Sequence, residues 1–340
     1  MPAGLFDRDV LPGDVKPINY DLSIYDLEFG GSFSYQGTVS ILVKIVRSTN
    51  EIVLNSHQLI IHSAEVTVEQ AKSQQSFKTT GIRFDVPQRR AAISFRDALP
   101  VSDRAVITLR FQGTMNNDMA GFSRAKYKPA VTPAASVPMD GEYHLMFSTQ
   151  FEACDARRAF PCFDEPNMKA TFDFEVEIPS HLVALSNMPE KGVRKTKNGC
   201  HSVSFERTPV MSTYLLAWAV GDFEYIEDFT KRKYNGKSLP VRVYTTRGLK
   251  DQAQYALSSA LPVIDYFSEI FGVDYPLPKA DLLAVHEFVS NVLLFHVLPS
   301  LFPHFTGCLK IISNAMIPLY IFRLVLSTHW RCATLQISFC

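Results

Sequence analysis

Residues 172–178 read Phe-Asp-Phe-Glu-Val-Glu-Ile. Apolar and acidic side chains alternate without a break, and that period of two puts one set on each face of an extended strand. A helix would scatter the same acids around its axis. The pattern recurs upstream. Phe33, Tyr35, Val39, Ile41, Val43 and Ile45 alternate with Ser34, Gln36, Ser40 and Lys44, and Ile107, Leu109 and Phe111 with Thr108 and Arg110. Turn-forming clusters at Gly30-Gly31, Pro100, Pro179-Ser180 and Lys197-Asn198-Gly199 separate these runs. Residues 1–221 show no convincing amphipathic helix. The expectation is a mainly β chain opening with an antiparallel β-sandwich or saddle-like domain.

The pattern changes after Asp222. Leu239–Thr245 reads as a short strand. From Lys250 to Phe271, apolar residues recur at helical spacing: Ala253, Ala256, Ala260, Val263, Ile264, Phe267 and Phe271. Gly272 is placed as a C-cap, and Pro262 is expected to kink or interrupt the helix. Lys279–Val285 then reads as a further strand. Residues 222–288 are therefore the beginning of a second, mixed α/β domain. No internal repeat is present.

Composition narrows the function. Hydrophobic residues make up 46% of 340, and 34 bases balance 34 acids, which argues for a packed globular chain. Without a basic excess or basic run, nucleic acid is not an expected partner. The N-terminal stretch MPAGLFDRDVLPGDVKP has acids where a signal peptide carries bases, and no apolar core. The expected setting is cytoplasmic and reducing. Cys154, Cys162 and Cys200 form no C-x-x-C pair and read as small buried thiols.

Longer segments carry a resemblance. FSTQFEACDARRAFPCFDEPNMKATFDFEV at 147–176 resembles the N-terminal signature of the M1 zinc aminopeptidases, nearest the puromycin-sensitive type. TPVMSTYLLAWAVGDFEY at 208–225, FGVDYPLPKADLLAV at 271–285 and NYDLSIYDLEF at 19–29 are similar to further segments of that family, in order and in register. The resemblance covers roughly 15–288. It implies a β-sandwich packed on a thermolysin-like catalytic domain. The implied activity is removal of single residues from peptide N-termini.

The resemblance also implies a zinc ion held by two His and one Glu, with the general base on an H-E-x-x-H helix. An exopeptidase must in addition grip the substrate's α-ammonium, which takes carboxylates beside the metal. The family's Q-x-E falls on Gln150 and Glu152, which the resemblance makes substrate-binding residues. By residue type alone, Glu152 would read as a solvated strand-edge carboxylate. Asp155, Arg157, Arg158, Asp164 and Glu165 are expected to supply the ion pairs and turns that fix this loop.

The zinc ligands themselves are missing from the pattern. His286-Glu287-Phe288 invites a metal reading, but H-E-x-x-H needs His at 290, and the chain has Ser290. The Gly-Ala-Met-Glu-Asn segment that the family places after this strand does not occur either. Zinc is therefore expected in the complete family enzyme and not in this chain, and this polypeptide is expected to be inactive. The alternative is a non-catalytic peptide- or partner-binding module built on the β-sandwich.

Residues 289–340 differ in kind from the rest. They contain no Asp or Glu, three bases (Lys310, Arg323, Arg331) and half of the six cysteines. With three of the 34 bases here, the tail carries +3 and residues 1–288 carry −3. Val289–Leu309 has no charge and is long enough to span a bilayer, but Pro299 and Pro303 interrupt it and the flanks do not match a span. The first expectation is a tail foreign to the family, from an unspliced intron or a shifted frame. A membrane- or partner-binding tail is the second.

Overall fold

A computed structural model describes residues 10–70, 73–131, 137–138, 142–197, 199–286 and 307–311. The expected mainly β fold is present. In chain order the strands are β1 (Val15–Tyr25), β2 (Ser34–Ile45), β3 (Thr49–Asn55), β4 (Ile60–Gln70), β5 (Ser73–Asp85), β6 (Arg90–Leu99), β7 (Ser102–Thr114), β8 (Gly121–Tyr127), β9 (Val137–Pro138) and β10 (His144–Gln150). They continue as β11 (Thr171–Pro179), β12 (Val183–Ser186), β13 (Glu190–Lys195), β14 (Cys200–Phe205), β15 (Trp218–Gly221), β16 (Phe223–Tyr234), β17 (Lys237–Thr246), β18 (Ala280–His286) and β19 (Gly307–Ile311).

Ten of these strands form one sheet in the order β13-β14-β11-β1-β2-β7-β4-β5-β6-β3. The alternation that predicted β11 is seen directly: Phe172, Phe174, Val176 and Ile178 are buried, while the residues between them are partly exposed. In β2 the buried series is Tyr35, Val39, Ile41, Val43 and Ile45. Phe33 stands just outside that strand with a left-handed backbone, φ 51°. Tyr35 faces Gly113, and Phe111 faces Gly37, across the β2–β7 ladder. A Cβ on either glycine would lie 2.3 Å from the opposing ring, so each aromatic ring covers the glycine opposite it.

A second sheet runs β12-β15-β10-β8, with β9 paired to β10, and packs on the first through aromatic side chains. Trp218 of β15 stacks on Phe174 of β11 at 4.8 Å and meets Phe122 of β8 edge-on at 5.4 Å. Each such fully buried ring contributes roughly 2–3 kcal/mol by leaving water. The pairing is not wholly antiparallel. β1 runs parallel to β11, bringing Tyr20 opposite Phe172 with stacked rings at 4.8 Å.

The third sheet is β16-β17-β18-β19, with β17 and β18 parallel. Helix α1 (Gln254–Phe271), entered through a 3-10 turn at Lys250–Ala253, packs on β16 and β17. Leu257, Ala260, Ile264 and Phe267 form its buried stripe. Gly272 ends it in the left-handed conformation, φ 63°, as expected. Pro262 does not interrupt it. The exposed ring sits on the solvent side, and the buried stripe carries the helix through. Among the described residues no helix is long and apolar enough to cross a membrane.

The second and third sheets meet at a seam. Met146, Ala219, Tyr244, Leu283 and Val285 form an apolar cluster there. Lys279 Nζ donates to the carbonyl oxygen of Ser186, at the end of β12, at 2.8 Å. At the end of β18, His286 stacks on Tyr127 with ring centres 5.0 Å apart.

Candidate functional site

The Q-x-E pair sits where β10 ends against the N-terminal end of β8. Gln150 is the last residue of β10, paired with Gly121. Phe151 then turns inward, 2% exposed, and packs edge-on against Trp218 at 5.3 Å and Phe160 at 6.1 Å. Glu152 follows on the exposed side, joined to Ala153 by a cis peptide bond. Gln150 and Glu152 thus flank a residue that the core holds in place. Neither of their side chains hydrogen-bonds or ion-pairs with a described residue.

The turn beyond Glu152 is tied down on several sides. Arg157 and Arg158 lie on one 3-10 turn, Ala156–Arg158. Arg157 Nε donates to Asp164 Oδ2 at 2.9 Å. Arg158 lies between Asp118, at 2.7 Å, and Asp155, at 3.1 Å. Glu165 accepts a hydrogen bond from the backbone N–H of Leu11. All five charged residues expected to fix this loop do so.

Groups from the first sheet complete the frame. The Tyr35 hydroxyl donates to the carbonyl oxygen of Ala159 at 2.8 Å, and the Tyr20 hydroxyl accepts from the Phe163 N–H at 3.0 Å. Burial raises both phenols far above their ordinary range, so they act as neutral hydrogen-bonding groups. Asn55 exchanges backbone hydrogen bonds with Cys162 and accepts the Asp164 N–H on its side chain at 3.0 Å. Gly121, with φ 73°, lets β8 pass close: a Cβ there would lie 2.6 Å from Cβ of Arg158.

Charges of both signs lie around the turn that follows the pair. Burial lowers the pKa of His57, and the neighbouring Arg89 and Arg158 lower it further, so the imidazole is neutral near pH 7. Burial raises Asp155, opposed by Arg158, Arg89 and Arg157. Glu152 is the exposed acid in front of this frame. The site can offer an amide and a carboxylate that has no partner among the described residues, a combination suited to an ammonium group.

The thiols differ from expectation. Cys162 is buried and its pKa is raised, first by burial and then by Asp164. Cys154 is exposed because it lies in the turn after Glu152, and Cys200 is partly exposed at the start of β14. All three are free.

Among the described residues no group of three or more His, Cys, Asp or Glu is placed to hold a metal. His286 Nε2 and Thr246 Oγ1 are 2.9 Å apart, and the ring lies on Tyr127. Burial lowers its pKa to about 4. Tyr127 pairs with His144 at one end of the β8–β10 ladder, and Gln150 pairs with Gly121 at the other. At about 3.3 Å per residue, His286 and the Q-x-E pair are separated by roughly 20 Å of strand. The described residues do not fit a zinc ion. Residues 287–306 and 312–340 lie outside the described residues.

Residues 16–215 match the family description "Peptidase M1 N-terminal domain". The chain belongs to the peptidase M1 family. It is 36% identical over 289 residues to the alanine/arginine aminopeptidase of Saccharomyces cerevisiae, covering 84% of this chain and 31% of that protein. With aminopeptidase M1-A of Oryza sativa it shares 38% identity over 285 residues, 83% of this chain and 30% of the relative. With the puromycin-sensitive aminopeptidase of Caenorhabditis elegans it shares 34% over 288 residues, 84% and 28%. This M1 chain spans less than a third of the length of these relatives.

Sequence reasoning missed the seam. Lys279 meets Ser186 where β18 begins and His286 meets Tyr127 where it ends, contacts between residues far apart in the chain that no local spacing announces.

Proposed function

We propose that this chain is the N-terminal portion of a zinc aminopeptidase that removes residues from peptide N-termini, and that Gln150 and Glu152 bind the substrate's α-ammonium group. The observation that carries the reading is Glu152. Glu152 is exposed and has no partner among the described residues, while Phe151 before it and Asp155–Asp164 after it are fixed by packing and hydrogen bonds. Fixing the backbone on both sides of the carboxylate before the ligand arrives lowers the ordering cost of a charge-assisted hydrogen bond.

In this reading residues 1–221 form the family's N-terminal β domain and 222–288 begin the catalytic domain. Zinc belongs to the complete enzyme. This polypeptide is proposed to engage peptide N-termini without hydrolysing them. The proposed setting is cytoplasmic and reducing.

Glu152→Gln in the complete enzyme tests the assignment. Loss of the charge should lower kcat/KM by about 30- to 1000-fold, on the order of 2–4 kcal/mol. An unchanged kcat/KM removes Glu152 from the site. Hydrolysis of leucine or alanine amides by this purified chain, abolished by a chelator, would overturn the proposed inactivity.

A further inference from the structure

We propose that Gly307–Ile311 is a built-in edge cover for β18, which makes part of the acid-free tail a working element of this fold. β18 reads ADLLAVH, and Ala280 through Val285 are all buried rather than alternately so. Both faces are covered, and parallel β17 occupies one edge. An open second edge would leave the N–H and C=O groups of an apolar strand without partners. Each such buried group costs about 1–3 kcal/mol. It would also offer a template to any passing strand.

The sheet's other edge is protected differently. β16 carries Glu224, Glu227, Asp228, Lys231, Arg232 and Lys233, charges of the kind that discourage strand addition. β18 has no proline and no exposed charge. Its single acid, Asp281, is buried against Lys279.

β19 meets this need. It pairs antiparallel with β18 in continuous register: Leu282 with Ile311, Leu283 with Lys310, Ala284 with Leu309, Val285 with Cys308 and His286 with Gly307. The antiparallel direction is the one that a chain returning on itself requires. Tethering raises the effective concentration of the covering strand to the millimolar range, which favours this occupant over a second copy. β18 is thus a strand-accepting edge, filled by the chain's own tail.

Amide hydrogen exchange on the unaltered full chain is the first test. Gly307–Ile311 and the facing amides of Leu282–His286 should exchange about 100-fold more slowly than an unstructured chain. Exchange of 307–311 at the unstructured rate would overturn the proposal, whatever the fate of the Glu152 assignment. Val285→Cys adds a register test, because position 285 lies opposite the native Cys308. Mild oxidation should give a monomer with a 285–308 disulfide, and Ala284→Cys should not link to Cys308. A disulfide-linked dimer joined 285 to 308 would overturn the assignment in favour of strand exchange between copies. If Val285→Cys does not fold, the exchange measurement still decides.

Discussion

Arg157 and Asp164 clasp each other across the turn that follows Glu152. Arg157 Nε donates to Asp164 Oδ2 at 2.9 Å, and Nη2 donates to the Asp164 carbonyl oxygen at 2.8 Å. The carboxylate also accepts from the Arg157 backbone N–H at 3.2 Å and from the Thr213 hydroxyl. With its side chain 2% exposed, Asp164 is a buried hub joining the turn to the segment that leads into β15. Asp164→Asn keeps the size and removes the charge, leaving the largely buried guanidinium without its counter-ion. The expected loss is about 3 kcal/mol of unfolding free energy, read by urea denaturation. A loss below about 0.5 kcal/mol would show that the pair does not hold the turn.

How much of this could be read from the sequence follows from the range of the forces involved. β11 and the Gly272 cap were legible because periodicity and left-handed backbone are local properties. The charged loop at 155–165 was legible through resemblance and residue type together. The parallel pairing of β1 with β11 was not, because Tyr20 and Phe172 are brought together by packing across some 150 residues of chain. Cys154 was misread because residue type favours burial while its place in a turn exposes it. Of the expected kink or interruption at Pro262, the interruption is absent: the penalty for proline is local, whereas Leu257, Ala260, Ile264 and Phe267 hold the helix from outside it. Glu152 became a candidate only through resemblance. What the structure adds is a fixed turn on which Glu152 is exposed and has no partner among the described residues.

The buried pair at the seam supports a second prediction. Lys279 Nζ donates both to Asp281 on β18 and to the carbonyl oxygen of Ser186 on β12, and the two charged side chains are 8% and 1% exposed. Burial lowers the Lys279 pKa, and Asp281 opposes the shift. Lys279→Met strands a carboxylate in the seam and should cost about 3 kcal/mol. Replacing both residues, Lys279→Met with Asp281→Leu, should cost less than the sum of the single changes by about 1 kcal/mol or more. Strict additivity in the denaturation cycle would mean that the pair is not a unit.

His286 makes the stability of the third sheet depend on pH. Its imidazole lies on Tyr127 beside Thr246, and burial lowers its pKa from 6.5 to about 4. Between those values the unfolded chain binds a proton that the folded chain refuses, so stability rises with pH across this window. The stabilisation is fully present above about pH 6.5 and is lost as pH falls toward 4, a change on the order of 3 kcal/mol. His286→Phe keeps a ring against Tyr127 and cannot titrate. Unfolding free energies of the two proteins at pH 7, 5.5 and 4 isolate the effect, because every other titrating group is common to both. The wild-type chain should lose ground to His286→Phe step by step with acidification. Parallel curves would place the His286 proton equilibrium at its ordinary value and remove the burial that the seam is argued to impose.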